Sequence, residues 1–594
     1  MALLLSVVAI EFTGITNANP YAPPEEAPSG YRIYSDGTTD IPNIHQNGHV
    51  YTFTANVVGT IVIERNDTVL DGAGYSLEGK SASVGVWLQD RINVTIKSLN
   101  IRNFDQGIKF SHFALVNSNE INPNRTTDCK IEGCNITNNI YGISFYLSLN
   151  CSVLGNYIAN NAYGVYLYGS GNTFRNNKIE QNLYNFWDID ELINDVDTSN
   201  TINGKPVCYW VNQHNMTVPN NAGIVILKHC SSIRVQNLNL SGNGNGISLF
   251  YTNNSEIFGN NIFENHWRGI AVWWSHNNSI IGNQITNTSL DGIEIYESDN
   301  NTISHNRIEG NENGIYHRTT SINEVISSNQ IIGNKHAGIL GGSDNSTITN
   351  NFVYGNGGGL TAGTNCIVTG NNITQNQGTG IIFWSNNLIM GNFISKNLIG
   401  LQTYKGTKNT ITVNNVVQNE GWGIRFQGPA SNNHVYLNNF IFNNGSEIQA
   451  SIKGSWIFPD LDKLYTKDPN LRPPQHVAGP ANSWDNGTKG NYWSDYNSDA
   501  QNAHNSTVGT IPYFLDDSNQ DNHPLLAPLE FATLELPSTQ PPKEASPPQS
   551  TKAGTEPFPI TAVLAVVAAI ASAGIGLLVY FRKNRLIQNK ITYR

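Results

Sequence analysis

The stretch DGIEIYESDNNTISHNRIEGN, from Asp291 to Asn311, decides the fold of this 594-residue chain. Short runs of alternating apolar and polar residues are separated in it by Asn, Ser and Gly, which is the pattern of three short strands joined by turns. Along most of the chain, a glycine followed by an aliphatic residue returns every 20 to 24 positions. A repeat of this length predicts a solenoid.

Each repeat is long enough for one turn of a parallel β-helix, in which every strand pairs with its equivalent in the next turn. Counting at this period from Tyr51 to Asn444 gives roughly 17 or 18 turns. A second signature, such as Asn260-x-Ile262-x-x-Asn265, places asparagines where their side chains can bond from turn to turn. Because parallel crossovers are nearly always right-handed, we predict an all-β, right-handed, single-stranded parallel β-helix.

The rest of the chain is organised around this helix. Ile560 to Phe581 is a run of 22 residues without a charge, followed by a basic segment, which predicts a transmembrane helix with a cytoplasmic C-terminus. We therefore expect a single-pass membrane protein with most of its chain outside the cytoplasm. The expected segments are 1–19 (similar to a signal peptide), 30–80 (N-terminal cap and first turns), 81–445 (β-helix with an irregular insertion at about 183–225), 446–530 (C-terminal cap), 531–559 (proline-rich linker), 560–581 (transmembrane helix) and 582–594 (basic tail).

The charge of the chain excludes one class of partner. The net charge is −11, only 13% of residues are charged, and Lys and Arg are not concentrated along the repeats. Nucleic acid is therefore not expected to bind. Sequons such as Asn93-Val-Thr95 permit a glycosylated exterior.

Two interpretations apply to the cysteines. Cys129 and Cys151 are 22 residues apart, at equivalent positions of adjacent turns. Stacked α-carbons about 4.8 Å apart would allow a disulfide from Cys129 to Cys151 or to Cys134. The alternative is that these residues are small, buried thiols at the corners of the helix.

Aromatic residues recur on one outward column. If the residues one and three after each glycine fill the core, those two and four after it point outward. Such a ladder suits an extended sugar chain, and we predict a glycan ligand. The alternative is that another segment, such as the insertion at 183–225, covers the ladder. The predicted ligand-binding residues are Tyr146, Tyr168, Phe250, Trp273, Tyr296, Tyr316, Trp384 and Tyr404.

The same face holds the best candidates for catalysis, Glu294 and Arg318, which are diagonal neighbours within reach of a salt bridge. Glycoside hydrolysis needs a second carboxylate, and the positions that flank Glu294 in the adjacent strands are Ala271 and Tyr316. A polysaccharide lyase or hydrolase is therefore the alternative to binding alone. His317 falls in an inward column and is expected in the core.

Several segments together resemble archaeal surface proteins of the NosD-like family, which is defined by the parallel β-helix of a periplasmic copper-binding protein. The resemblance covers roughly residues 30 to 530 and implies the same fold and, as a further alternative, a role in copper handling. The segments that carry it are Ile61–Asn66, Leu70–Tyr75, Asn200–Pro206, Asn482–Tyr496, Ile511–Tyr513 and Asp521–Leu525.

The resemblance also raises calcium and copper as candidate ions. Many relatives have an Asp-rich loop after the Asn-Tyr-Trp-Ser-Asp-Tyr segment, but here only Asp495 and Asp499 remain as carboxylates. The nearest approach to a copper ligand pair is His45 with His49, without a third ligand nearby in sequence. Calcium and copper therefore stay candidate ions for which the sequence gives only weak support. A further acidic stretch, from Asp188 to Asp197, is expected to be a solvated loop.

Overall fold

The computed structural model describes residues 27–80, 83–111, 125–318, 321–443, 450–453, 481–496, 507–516 and 518–530. Its strands are short and pair in parallel with the equivalent strands of the turns before and after them. Together they build a parallel β-helix of about 17 turns, which confirms the predicted all-β solenoid.

The strands of the N-terminal turns belong to sheets 1 and 2 and to the beginning of sheet 3. Sheet 1 contains Tyr31–Ile33, Ile61–Ile63, Val84–Gln89, Gln106–Ser111, Tyr141–Leu149, Tyr163–Ser170 and Tyr184–Asp188. Sheet 2 contains Ile44–Asn47, Val50–Phe53, Val69–Asp71, Thr95–Lys97, Lys130–Glu132, Ser152–Leu154, Thr173–Arg175 and Asp195–Val196. Sheet 3 begins with Val57–Val58, Ser76–Glu78, Asn100–Arg102, Asn135–Thr137, Tyr157–Ala159, Lys178–Glu180 and Thr201–Ile202.

The C-terminal turns continue sheet 3 and add sheets 4 and 5. Sheet 3 continues with Lys205–Val211, Ile224–Lys228, Asn245–Phe250, Arg268–Trp273, Asp291–Tyr296, Asn313–His317, Ala337–Leu340, Gly358–Ala362, Thr379–Phe383, Ile399–Thr403, Ile424–Gln427 and Ala450–Lys453. Sheet 4 contains Arg234–Gln236, Glu256–Phe258, Ser279–Ile281, Thr302–Ser304, Val325–Ser327, Thr347–Thr349, Ile367–Thr369, Leu388–Met390, Thr410–Thr412 and His434–Tyr436. Sheet 5 contains Asn239–Ser241, Asn261–Phe263, Gln284–Thr286, Arg307–Glu309, Gln330–Ile332, Phe352–Tyr354, Asn372–Thr374, Phe393–Ser395, Asn415–Val417, Asn439–Ile441 and Tyr492–Trp493, and a hairpin of Tyr513–Asp516 and Asn519–Asp521 follows.

Sheet 3 passes from the N-terminal to the C-terminal turns through an irregular junction. Thr201–Ile202 pairs antiparallel with Lys205–Val211, which then pairs in parallel with Ile224–Lys228. Sheet 1 ends at Tyr184–Asp188. The segment at 183–225 thus contributes strands to the β-helix and also forms the irregular connection between its two parts.

The residue after each glycine and the second residue beyond it fill the interior, as predicted. Ile293 and Ile295, for example, are fully buried. Strict alternation along the strand would turn the glycine position outward. It faces inward instead, since a Cβ on Gly292 would lie 2.4 Å from Cγ2 of Ile308, in the core. The glycine position therefore also faces inward, and the residue before it faces outward.

Stacked asparagines form buried ladders between turns, as the sequence signature indicated. Nδ2 of Asn283 donates to Oδ1 of Asn306 at 3.0 Å and to the carbonyl oxygen of Ile257 at 2.9 Å, and the backbone N–H of Asn283 donates to the same Oδ1 at 2.9 Å. The same bonds recur from turn to turn along a single column. Its members are Asn260, Asn283, Asn306, Asn329, Asn351, Asn371, Asn392, Asn414, Asn438 and Asn491.

The C-terminal end of this ladder is closed by Asp521. Its Oδ2 accepts from the backbone N–H of Asn491 at 2.7 Å and from Nε1 of Trp493 at 2.9 Å. Trp493 is fully buried and stacks between Phe440 and Tyr513, with ring centroids 4.6 and 4.5 Å away. The Asn-Tyr-Trp-Ser-Asp-Tyr segment thus seals the hydrophobic core.

The cysteines are buried free thiols, so the predicted disulfide between Cys129 and Cys151 is not formed. Cys134, the other suggested partner, is also free. The thiols occupy corner positions and pack as small apolar groups, which was the alternative interpretation.

In the part of the chain that the structure describes, no helix is long and apolar enough to cross a membrane. The predicted transmembrane helix at 560–581 lies outside the described residues. So do the segments at 1–19, 531–559 and 582–594.

We predict that one ladder position makes the stability of the helix depend on pH. Burial raises the pKa of the Glu324 carboxyl to about 8, which hydrogen bonds from Asn301 only partly oppose. Because the folded state keeps this proton longer than the unfolded state, stability decreases as the pH rises from about 4.5 to about 8. Glu324→Gln should therefore stabilise the protein by ~3 kcal/mol at pH 8 and much less at pH 4.5.

Thermal unfolding of the full chain at both pH values measures this difference. Glu309→Gln is the matched control, because Glu309 is a partly exposed residue paired with Arg307. An equal gain for Glu324→Gln at both pH values would contradict the prediction.

Candidate functional site on the outward face of sheet 3

The outward columns of sheet 3 are in strict register. Phe250 is paired with Trp273, which is paired with Tyr296, and Glu294 lies between Ala271 and Tyr316. These pairings match the columns predicted from the glycines. Tyr146 and Tyr168 also contact each other, at 5.4 Å between ring centroids, but they belong to sheet 1. The predicted aromatics therefore do not form one continuous ladder.

The N-terminal end of this face is closed. Phe250 is completely buried, so it is removed from the predicted ligand-binding residues, and Trp273 is only 8% exposed. The ammonium group of Lys228 lies 5.0 Å from the centroid of the Phe250 ring and 2.8 Å from Oδ2 of Asp188. At this end, the segment after residue 183 covers part of the aromatic column, as in the alternative interpretation of the sequence.

The acidic stretch from Asp188 to Asp197 is buried at its beginning and exposed at its end, so the expectation of a solvated loop is wrong for Asp188 and Asp190 but holds for Asp195 and Asp197. Complete burial raises the pKa of Asp188, an effect that Lys228 opposes. Lys228 also donates to the backbone carbonyls of Asp190 and Leu192. Farther along the stretch, Arg175 pairs with Asp195 and Asp197.

Glu294 is part of a buried cluster rather than an exposed catalytic group. Only 1% of its surface is exposed. Its Oε1 accepts from Nη2 of Arg268 at 2.9 Å, and its Oε2 accepts from Nε1 of Trp273 at 2.7 Å. The predicted contact with Arg318 is present but longer, at 3.9 Å from Nη1 to Oε1. Both oxygens of Glu294 are therefore engaged within the protein.

Arg268 was not found from the sequence, although it holds this cluster together. Its guanidinium lies 4.7 Å from the ring of Trp267 and 5.0 Å from the ring of Trp273. The outward columns predicted from the sequence contain only positions after each glycine, whereas Arg268 precedes Gly269. The glycine interruption of the strand puts that preceding position outward.

Asp291 joins the cluster from the same column as Arg268. Burial raises the pKa of its carboxyl to about 6, opposed by a hydrogen bond from Nδ2 of Asn313 at 2.9 Å and by Arg268 at 3.9 Å. Asp291 is the second carboxyl group that hydrolysis would require, but it is only 4% exposed. The cluster therefore positions the neighbouring side chains and offers no accessible acid and base pair.

The face opens beyond this cluster. Tyr296 and Tyr316 are partly exposed, and the side chain of Arg318 is 54% exposed. Tyr316, Arg318, Leu340, Gly341, Gly342 and Asp344 line a cleft of about 430 Å³. Gly341 has a φ of +95°, and a Cβ on it would lie 1.9 Å from the carbonyl oxygen of His317, so a side chain there would clash with the backbone. Glycines thus form the floor of the cleft.

Two more predicted residues lie beyond the cleft. Trp384 is 42% exposed, and Tyr404 is partly exposed in the next strand. The strands that lead to Trp384 and Tyr404 also carry outward polar groups, and Oγ1 of Thr379 donates to Oε1 of Gln402 at 2.9 Å. We call the outward surface of the six strands from Asn313–His317 to Ile424–Gln427 the open face. It combines exposed rings with amide, hydroxyl and guanidinium groups.

His317 faces the interior, as predicted. It is paired with the core residue Ile295, and burial lowers the pKa of its imidazole to about 4. At this pKa the ring is neutral at physiological pH.

The described residues do not fit a copper or calcium site. No group of three or more His, Cys, Asp and Glu side chains in them is arranged to hold a metal ion. Of the predicted pair, His49 contacts Nη2 of Arg65 at 3.3 Å, and a cationic neighbour disfavours metal binding. Asp495 accepts from Oη of Tyr513 at 2.8 Å, and Asp499 lies outside the described residues.

Two families match this chain. The family described as right-handed beta helix region matches residues 200–353, and the family described as periplasmic copper-binding protein (NosD) matches residues 319–498. The first description agrees with the predicted hand of the helix. No curated protein matches the sequence.

Solved β-helix structures resemble the chain loosely. A double mutant of the periplasmic alginate epimerase AlgG is 12% identical, over 67% of this chain and 81% of that one, with a TM-score of 0.29. The A-module of the mannuronan C-5 epimerase AlgE6 from Azotobacter vinelandii is 14% identical, over 67% and 91%, with a TM-score of 0.22. The DFA-IIIase from Arthrobacter chlorophenolicus A6 is 11% identical, over 64% and 83%, with a TM-score of 0.26. Similarity at this level does not establish a shared function.

We predict a strong energetic coupling between the two residues of the buried ion pair, Arg268 and Glu294. Removing one partner leaves the other charge buried, so Arg268→Met and Glu294→Met should each destabilise the protein by about 3 kcal/mol. The double variant should lose much less than the sum of the two. Chemical denaturation of the four proteins measures the coupling, and additive losses would contradict it. The exposed pair Arg307 and Glu309 is the control, with an expected coupling below about 1 kcal/mol.

Proposed function

Since the chain belongs to the NosD-like right-handed β-helix family, we propose that it binds an extended polysaccharide along the open face. The observation that carries the proposal is the row of accessible rings on both sides of the glycine-floored cleft, with Tyr316 on one side and Trp384 and Tyr404 on the other. The strands of Tyr316 and Tyr404 are four strand spacings apart, so the face runs along the helix axis for about 19 Å between these two rings. A linear polymer fits a surface of this shape better than a compact ligand does.

The chemistry of the face supports a sugar chain. Aromatic rings provide flat apolar surfaces for the faces of sugar rings, and neighbouring polar groups can bond to hydroxyls. The partly exposed hydroxyl of Thr379 lies in the strand that leads to Trp384. Gly342 and Gly363 take the positions that Trp384 and Tyr404 occupy in the next two strands, and at Gly342, which lines the cleft, the polymer can approach the backbone.

The geometry supports binding rather than turnover. A glycosidase needs two accessible carboxyl groups about 5 to 9.5 Å apart. Among the described residues of this face, Glu294 and Asp291 are the closest match, and both are buried against Arg268. A lyase or hydrolase at this position is therefore not proposed.

The proposal includes a location outside the cytoplasm. The uncharged run from Ile560 to Phe581 and the basic residues after it support a single membrane anchor at the C-terminal side of the linker. A polysaccharide of the cell envelope would then be within reach of the β-helix.

The aromatic rows give the first test of function. Trp384→Ala and Tyr404→Ala together should weaken retention of the full chain on envelope polysaccharide at least tenfold, because each ring contributes roughly 1 kcal/mol or more of contact energy. Affinity electrophoresis in polysaccharide-containing gels measures the retention. Phe258→Ala is the matched control, because Phe258 is 43% exposed on sheet 4. Equal retention of the parent and the double variant would contradict the proposal.

The anchor has its own test. Full-length protein should sediment with membranes after washes at high salt and alkaline pH, whereas a chain ending at residue 559 should be released. Recovery of the full-length protein in the soluble fraction would contradict the anchor.

A further inference from the structure

The open face differs in charge from the rest of the protein. The six strands from Asn313–His317 to Ile424–Gln427 each have three outward positions: the residue before the glycine and the second and fourth after it. These positions carry two arginines and neither Asp nor Glu, in a chain whose net charge is −11. They are Asn313, Tyr316, Arg318, Ala337, Leu340, Gly342, Gly358, Thr361, Gly363, Thr379, Ile382, Trp384, Ile399, Gln402, Tyr404, Trp422, Arg425 and Gln427.

Arg318 stands at one end of this surface, beside the cleft. Its guanidinium is exposed and lies 5.8 Å from the ring centroid of Tyr296. The carboxylate nearest to it, Glu294, is 3.9 Å away and already bonded to Arg268. Because Glu294 is already paired with Arg268, the guanidinium of Arg318 can pair with an anion from outside the protein.

Arg425 stands at the other end, five strands away, or about 24 Å along the axis. Its guanidinium lies 4.7 Å from the ring centroid of Trp422. Burial lowers the pKa of the Arg425 guanidinium, and the nearby Tyr404 opposes this effect. No carboxylate contributes to the shift. In the described part of the chain, no Asp or Glu is within ion-pair distance of Arg425.

One carboxylate does reach the rim of the cleft. Asp344 lines it, but its Oδ1 accepts from the backbone N–H of Thr364 at 2.6 Å. This bond holds one of the two carboxylate oxygens against the corner of the helix. Two outward arginines against one rim carboxylate leave the open face with a positive local charge on an acidic protein.

From this distribution we infer that the polysaccharide bound by the open face is anionic, with carboxylate or sulfate groups that pair with Arg318 and Arg425. The inference rests on the proposed function and specifies its ligand class. Guanidinium groups recognise planar carboxylates and sulfates through paired hydrogen bonds, whereas neutral sugars need no such partner. The rings between the two arginines would contact the sugar units between successive anionic groups.

Affinity electrophoresis of the full-length chain tests the inference with three gel-embedded polymers: polygalacturonate, dextran sulfate and neutral hydroxyethylcellulose. We expect retardation by at least one anionic polymer that exceeds retardation by the neutral one at least tenfold. Added salt should weaken it. Because protein and polymer are both negatively charged overall, non-specific attraction would not produce this result. The two anionic arms distinguish carboxylate from sulfate as the recognised group.

The decisive variant is Arg318→Gln with Arg425→Gln, which should lose at least tenfold of the affinity for the anionic polymer and keep the melting temperature of the parent. The control is Arg234→Gln with Arg307→Gln, which changes the net charge equally on sheets 4 and 5. Equal losses in both double variants would overturn the inference. A parent that prefers the neutral polymer would also overturn it and leave the proposed function standing. A parent that binds none of the polymers would refute both.

Discussion

The rest of the structure depends on the hydrogen bonds of the buried asparagine ladders. Each amide takes part in bonds to the asparagines above and below it and to a backbone carbonyl, as Asn283 does with Asn306 and Ile257. An unpaired buried amide would cost about 1 to 3 kcal/mol, so a turn cannot slip without breaking several such bonds. The ladders therefore fix the register of every strand. Because the register is fixed, side chains that are one repeat apart in sequence become neighbours in space.

This register creates the candidate site and divides it. Toward the N-terminal turns, Lys228 and Asp188 bury Phe250, and Arg268 with Glu294 holds Trp273 against the sheet. Beyond Tyr316 the large outward side chains give way to glycines, and the backbone becomes accessible. A buried ion pair contributes little net stability when it is complete, but it orders the groups that it joins. The closed end thus orients Arg318 at the entrance to the open face.

The solenoid, its inward columns and the neighbours of Glu294 could be predicted from the sequence, because they follow from one local period. The outward position of Arg268 could not, because strict alternation across Gly269 would turn that residue inward. Extending the same period to the position before each glycine would have listed Arg268, Asp291 and Asn313 together. The sequence left open whether Phe250 is covered or exposed and did not indicate the separation of Tyr146 from sheet 3, because both depend on how the irregular segment between the two sets of turns folds back. The sequence left the state of Cys129 open, because equivalent positions in adjacent turns allow a disulfide but do not require one.

The fixed register and the charge distribution of the open face together support our proposal that this face binds an anionic sugar polymer. Hydroxyl-radical footprinting of the full chain with and without polygalacturonate or dextran sulfate tests this most directly. We expect protection of Tyr316, Trp384, Tyr404 and Trp422, with unchanged oxidation of Phe258 and Met390 on sheet 4. Protection of the Tyr146 and Tyr168 surface instead, or of sheet 4, would contradict it.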